Sequence, residues 1–182
     1  MVASGLMDGV ATWEAEGMDE VHFVNTRFDP DVIGFHAIAK EMAAAVGYTA
    51  TLSVDAGLAQ LLRLRVAQLN PCSYCLILHT AAARDAGLNP AKIAHLASWR
   101  ESTMFAEDEV AALAYAEALT VFDVAAFAEH HDRLARFFDE KSVAEIAAVV
   151  INMGVWTRLK LAQGAVPVLD DIAPNDVGPS RQ

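Results

Sequence analysis

Gln60–Leu88, QLLRLRVAQLNPCSYCLILHTAAARDAGL, reads as one helix that stops at Asn70-Pro71 and a second that runs from Pro71 to about Ala86 and ends at Gly87. Asn70 suits an N-cap, and Pro71 suits the first helical position, where no amide hydrogen is needed. Gly87 suits the left-handed residue that follows a helix. The only two cysteines of the chain, Cys72 and Cys75, then fall in the first turn of the second helix, with His79 one turn further on.

Helix signals recur on both sides of this stretch. Residues 30–46 start near Asp29-Pro30 and stop at Gly47, and residues 54–69 follow Ser53. Asn89-Pro90 opens a short helix reaching Trp99, and Glu107–Leu119 carries apolar residues at three- and four-residue spacing. Asp123 looks like the cap of a helix over 124–138. Ser142 and Glu145 form an S-x-x-E capping box ahead of a helix over 143–163. Strand signals are nearly absent, with no sustained alternation and no Asn-Gly or Asp-Gly turn. The expectation is an all-α chain of about six to eight helices: an N-terminal arm over 1–28, one helical domain over 29–173, and a flexible tail over 174–182.

Composition sets the outer limits. The chain has 182 residues, 54% hydrophobic and only 20% charged, enough for one domain with a substantial core. Net charge is −11, with no basic stripe longer than Arg63 and Arg65, which argues against nucleic acid and against an anionic membrane surface as partner. The opening residues have no basic start followed by an apolar run, so no signal peptide is expected. The apolar run around Ala147–Val155 contains Asn152 and is too short to span a bilayer. A cytoplasmic location follows as the default, and there a CxxC pair is more often catalytic or metal-binding than a static staple.

The chemistry centres on CSYCLILH, Cys72–His79. Unpaired amide hydrogens and the positive dipole end at a helix start favour a thiolate. On a helical wheel Cys75 lies roughly 60° from Cys72, and His79 roughly 40° from Cys75, so all three share a stripe. His79 can then serve as base to the Cys75 sulfur. Such a dithiol supports a cycle of attack on an electrophilic oxygen, a sulfenic acid, condensation to a disulfide, and reset by an external dithiol. A zinc site is the competing reading, but these residues supply three ligands where a closed structural site needs four. The plainer alternative is cysteines packed as small apolar residues, with His79 satisfying a local polar group.

The stretch Gln60–Leu88, continued by LASWRESTMFAEDEVAALAYAEALT (Leu96–Thr120) and VWTRL (Val155–Leu159), resembles the alkylhydroperoxidase D-like (AhpD-like) group of the carboxymuconolactone decarboxylase superfamily. The resemblance implies an all-helical fold that oligomerises as a trimer or hexamer, or a dimer, with the CxxC helix near subunit contacts. It implies reduction of small hydroperoxides, with Cys75 peroxidatic, Cys72 resolving and His79 in a proton relay. It also implies a dihydrolipoyl group on a protein as reductant; no bound cofactor or metal is expected. Two positions depart from the family pattern. Gln60 stands where a relay glutamate is common, and Tyr74 stands inside the CxxC where peroxidase members can carry histidine. Glutamine accepts no proton at neutral pH but still orients His79, so slower peroxidase turnover or a different substrate is expected.

Other residues read as structural. Trp99, Arg100 and Glu101 suggest an aromatic anchor with an ion pair. His36 and His95 suggest packing or capping, and Trp156 and Arg158 core or subunit packing. His130 and His131 are adjacent, so they diverge by about 100° on a helix and suggest a solvated face. Two rival functions remain open from sequence: a decarboxylase-like enzyme that does not use the cysteines, and a non-enzymatic oligomer whose disulfide only switches packing.

Overall fold

A helix buried on nearly all sides organises the molecule. It is α2 (Ala56–Leu69), where Gly57 through Leu64, Val66 and Ala67 are all buried, including the polar Gln60 and Arg63. The computed structural model describes residues 21–29, 31–32, 34–46 and 50–169. Among them the chain forms β1 (Val21–Asn25), α1 (Phe35–Val46), α2, α3 (Ser73–Asp85), α4 (Pro90–Ala94), a 3-10 helix (Leu96–Glu101), α5 (Glu107–Val121), α6 (Val124–Leu134), α7 (Glu140–Gln163) and β2 (Ala165–Leu169). The fold is all-α, as the sequence suggests, with one small sheet added.

Around α2 pack α3, α5 and α7. α5 contributes an alanine-rich surface, Ala111, Ala112, Ala114, Ala116 and Ala118, whose small side chains let helices approach closely. α7 is, among the described residues, the one helix long and apolar enough to cross a membrane. Here it packs within the bundle against α2, α5 and α1, burying Ile146, Val149, Val150 and Met153. Burial of such side chains contributes about 1.5–3 kcal/mol each.

Several sequence expectations shift in detail. Asn70 caps the C-terminus of α2, its amide bonded to Val66 O at 3.0 Å, and does not begin α3. Cys72 takes the N-cap of α3 instead. The helix expected over 30–46 begins at Phe35, and that over 124–138 ends at Leu134. The helix expected to reach Trp99 stops at Ala94 and gives way to the 3-10 turn, with Ser98 outside helical geometry. α7 begins at Glu140, capped by Asp139, whose carboxylate accepts from Ser142 N at 2.8 Å. Glu145 therefore does not close a capping box. Its carboxylate accepts from Ser53 N, Ser53 Oγ and Val54 N, tying the loop before α2 to α7.

The sheet is the feature sequence did not anticipate. β1 and β2 pair antiparallel, Val21 opposite Leu169 through Asn25 opposite Ala165. Gly164 makes the junction with α7, at φ +69°, and a Cβ there would lie 2.2 Å from Thr26 Oγ1. Thr26 N and Oγ1 both donate to Gly164 O, and Gln163 Nε2 donates to Asn25 Oδ1 at 2.7 Å. This clamp fixes β1 beside the start of α3. The expected tail over 174–182 lies outside the described residues, as do residues 1–20 of the arm.

Candidate active site

Cys72 and Cys75 are joined as a disulfide across the first turn of α3, with Cα atoms 5.3 Å apart. Cys72 has the extended backbone of an N-cap residue, φ −95° and ψ 98°, and its sulfur accepts a hydrogen bond from Cys75 N at 3.3 Å. Serine, threonine or aspartate oxygens usually fill that role; here a sulfur does. A thiolate at Cys72 would receive the same amide as a charge-assisted bond and feel the positive end of the helix dipole. Both residues are buried, Cys72 to 5% exposure and Cys75 to 2%.

The buried stripe of α3 is Cys75, His79 and Ala83, at intervals of four residues. His79 is 3% exposed, and its Nδ1 lies 3.0 Å from Gln60 Oε1 on α2. An amide oxygen only accepts, so Nδ1 carries the hydrogen and, in the neutral ring, Nε2 is the basic nitrogen. Burial, reinforced by the positive charge of Arg63, lowers the His79 pKa to about 3. The imidazole is therefore neutral throughout the physiological range.

Tyr74, between the two cysteines, is packed by two elements distant in sequence. Phe23 of β1 meets its ring edge-on, with centroids 4.6 Å apart. Lys160 of α7 places Nζ 4.3 Å from the ring centroid in a cation–π contact, and 5.8 Å from the Trp156 ring. Lys160 is 7% exposed, and burial lowers its pKa to about 8, with Asp31 opposing the fall and Lys40 adding to it. Trp156 also meets His36 of α1 edge-on at 5.5 Å. His36 in turn bonds Asp31 at 3.2 Å.

All five residues singled out from sequence thus belong to one region: Cys72 and Cys75 bonded, His79 and Gln60 hydrogen-bonded, and Tyr74 within the CxxC turn. Lys160, Trp156 and Phe23 complete it and were not singled out for it. A lysine flanked by Leu159 and Leu161, one turn after Trp156, was the available signal for Lys160. His95 and His131 lie elsewhere. His95 bonds Ala91 O and Ser102 Oγ and packs on Phe105, a capping role. His131 sits beside exposed Asp132 on α6.

The anchor at Trp99 is built around Glu117, a residue sequence reasoning passed over. Its carboxylate accepts from Trp99 Nε1 at 2.7 Å, Arg65 Nε at 2.6 Å and Arg100 Nη2 at 2.5 Å. Burial works to raise the Glu117 pKa, but the hydrogen bonds from Arg100, Trp99 and Arg65 outweigh it and hold the carboxyl below its usual range. Arg100 does form an ion pair, but its acid is Glu117 on α5, not Glu101 as the Trp99-Arg100-Glu101 segment suggested. A single carboxylate in the apolar string AALAYAEAL was the clue, since a buried acid needs a cationic partner.

Comparison with known proteins agrees with this picture. Residues 35–118 match the Carboxymuconolactone decarboxylase family. The uncharacterized protein YdfG of Bacillus subtilis (strain 168) is 26% identical over 137 residues, 72% of this chain and 93% of the relative. The uncharacterized protein YnjA of Escherichia coli (strain K12) is 29% identical over 109 residues, 60% of each chain. Among solved structures, a protein of unknown function from Agrobacterium tumefaciens, suggested to be an antioxidant defence protein AhpD, superposes with TM-score 0.63 at 20% identity. The match covers 75% of this chain and 90% of that one. A cysteine-to-alanine form of the debrominase Bmp8 with 2,3,4-tribromopyrrole gives TM-score 0.65 at 22% identity, over 74% and 71% of the two chains. These likenesses establish the fold.

Proposed function

We infer that this AhpD-like member of the carboxymuconolactone decarboxylase superfamily is a dithiol oxidoreductase that reduces a small organic hydroperoxide at Cys75, with Cys72 resolving. The observation that carries the reading is the Cys72–Cys75 disulfide at the start of α3, with His79 on the same buried stripe as Cys75.

In the reduced protein, His79 Nε2 takes the Cys75 thiol proton, and Gln60 holds the ring in the tautomer that allows it. The Cys75 thiolate attacks the distal oxygen of the hydroperoxide. The O–O bond breaks, the alcohol leaves with the proton returned from His79, and Cys75 becomes a sulfenic acid. Cys72, as a thiolate favoured by its N-cap position, attacks the Cys75 sulfur. Hydroxide leaves and is protonated to water, and the disulfide closes. The balance is one hydroperoxide and two thiols giving one alcohol, one water and one disulfide. A dihydrolipoyl group, on a protein or free, then returns two electrons and two protons by exchange and becomes a cyclic disulfide. We place this chemistry in the cytoplasm, in a homo-oligomer.

Gln60 marks where the relay is weak. A neutral amide orients His79 but supplies no charge to stabilise the imidazolium, and burial opposes that charge strongly. The test is peroxide consumption by the purified protein with dihydrolipoamide, beside Cys72→Ser and Cys75→Ser. Turnover abolished by either change supports the reading. Full turnover in Cys75→Ser would overturn it and return the decarboxylase-like reading. A disulfide that changes subunit assembly without catalytic peroxide loss would favour the redox-responsive oligomer.

A further inference from the structure

Beside the dithiol the molecule holds a buried hydrogen-bond donor without an acceptor and, one helical turn away, a largely buried ammonium with no carboxylate paired to it among the described residues. Trp156 Nε1 is buried without a hydrogen-bond partner. Lys160, one helical turn further along α7, is 7% exposed as a residue, and its Nζ rests on the Tyr74 and Trp156 rings. Among the described residues no carboxylate forms an ion pair with it. Asp31 is the described acid whose charge reaches Lys160, and it is bonded to His36 and mostly exposed. Lys40 adds a second positive charge to the same region.

Buried ammonium groups are normally paired, and buried indole N–H groups normally find an acceptor. Aromatic faces stabilise a cation without accepting a conventional hydrogen bond from it. An orphaned indole N–H beside an ammonium that has no carboxylate paired to it matches a single missing partner: an anion with two acceptor oxygens. The rings of Tyr74, Phe23, Trp156 and His36 around it suit a planar or aromatic body attached to that anion. Tyr74 lies within the CxxC turn, so whatever lies against its ring lies beside the reacting sulfurs.

We propose that Lys160 and Trp156 form a carboxylate-binding subsite, and that the electrophile reduced by the dithiol is an organic acid held there by its carboxylate. The choice of substrate class rests on the dithiol reading; the binding of a carboxylate does not. Lys160 supplies charge and Trp156 Nε1 supplies direction.

Two measurements separate the subsite from the catalytic reading. In the first, oxidised protein is titrated calorimetrically with 4-isopropylbenzoate and with 4-isopropylbenzamide. The acid should bind about tenfold or more tightly than the amide, as expected for a charge-assisted bond to a buried cation. Lys160→Met should remove the preference, and Trp156→Phe, which keeps a ring but loses the N–H, should reduce it. Having two variants guards against one that fails to fold. Equal binding of acid and amide by the unaltered protein, or a preference untouched in both variants, overturns the subsite. In the second, kcat/KM is compared for 4-(2-hydroperoxypropan-2-yl)benzoic acid and its methyl ester. A preference for the acid that disappears in Lys160→Met supports the substrate class, and equal rates in the unaltered protein overturn it. If neither hydroperoxide is turned over while Lys160-dependent binding of the benzoate persists, the peroxidase reading fails and the subsite stands.

Discussion

Replacing Gln60 with glutamate puts a carboxylate where an amide oxygen now sits, 3.0 Å from His79 Nδ1. In the present site the imidazole is a reluctant base, with its pKa lowered to about 3 by burial and by Arg63. Taking a proton from an ordinary thiol near ~8.5 is then uphill by about 7 kcal/mol. At an effective dielectric near ~20, a unit negative charge at that distance favours the imidazolium by about 5 kcal/mol. Burying the new carboxylate returns some of this, because Gln60 sits on the enclosed side of α2. A net lift of about two units in the His79 pKa is a conservative outcome, worth about 3 kcal/mol. If proton transfer is only half developed in the transition state, oxidation of the reduced protein should speed up about tenfold, and about 100-fold if it is complete. The assay is single-turnover oxidation of the reduced dithiol by excess hydroperoxide at neutral pH, followed by stopped flow, with the His79 pKa read by NMR. An unchanged or slower oxidation rate in a folded Gln60→Glu protein whose His79 pKa has risen would refute the relay.

Three further outcomes follow from the same side chains. His79 is buried with a folded pKa of about 3 against its ordinary value of 6.5, so the unfolded chain binds the extra proton between these values. Stability should therefore fall as pH falls through that window, by up to about 1.4 kcal/mol per unit. Urea melts at pH 7 and pH 5 should differ by about 2 kcal/mol from this group, and the same difference in His79→Asn would remove the attribution. Lys160 runs in the alkaline range: its folded pKa of about 8 lies below 10.5, so stability should rise between those values. Lys160→Met should flatten that rise and raise the melting temperature at neutral pH; an unaltered pH profile would show that the ammonium is not held buried. Glu117→Gln leaves Arg65 and Arg100 without their anion and should cost about 3 kcal/mol or more in a denaturant melt. Its rate of dithiol oxidation per folded molecule should not change, and a parallel loss would tie this cluster to the chemistry.

Local signals made much of the fold legible. Apolar spacing, Gly87 and the caps at Asn89 and Asp123 located helices because each acts within a few residues. The two misread caps show the limit of that logic. Asn70 has the right side chain for an N-cap, yet α2 continues to Leu69 and takes Asn70 as its own C-cap, leaving Cys72 to start α3. Glu145 has the right spacing from Ser142, yet its carboxylate serves Ser53 and Val54, more than ninety positions away. Nothing in five-residue segments such as Val21–Asn25 and Ala165–Leu169 announces a partner about 140 residues distant, so the sheet was invisible. The dithiol, His79 and Gln60 were readable because a helix brings i and i+4 together and the family pattern points to position 60. Lys160 and Trp156 were not, because sequence does not show that Lys160 packs on the Tyr74 ring or that Trp156 Nε1 is enclosed without a partner among the described residues.

The central claim, that Cys75 attacks and Cys72 resolves, is tested most directly by trapping the intermediate. Reduced Cys72→Ser and Cys75→Ser proteins are each treated with one equivalent of hydroperoxide in the presence of dimedone and analysed by peptide mass spectrometry. The account predicts a dimedone adduct on Cys75 in the Cys72→Ser protein, and none on Cys72 in the Cys75→Ser protein. An adduct on Cys72 with Cys75 replaced, formed as fast as the unaltered protein oxidises, would contradict it.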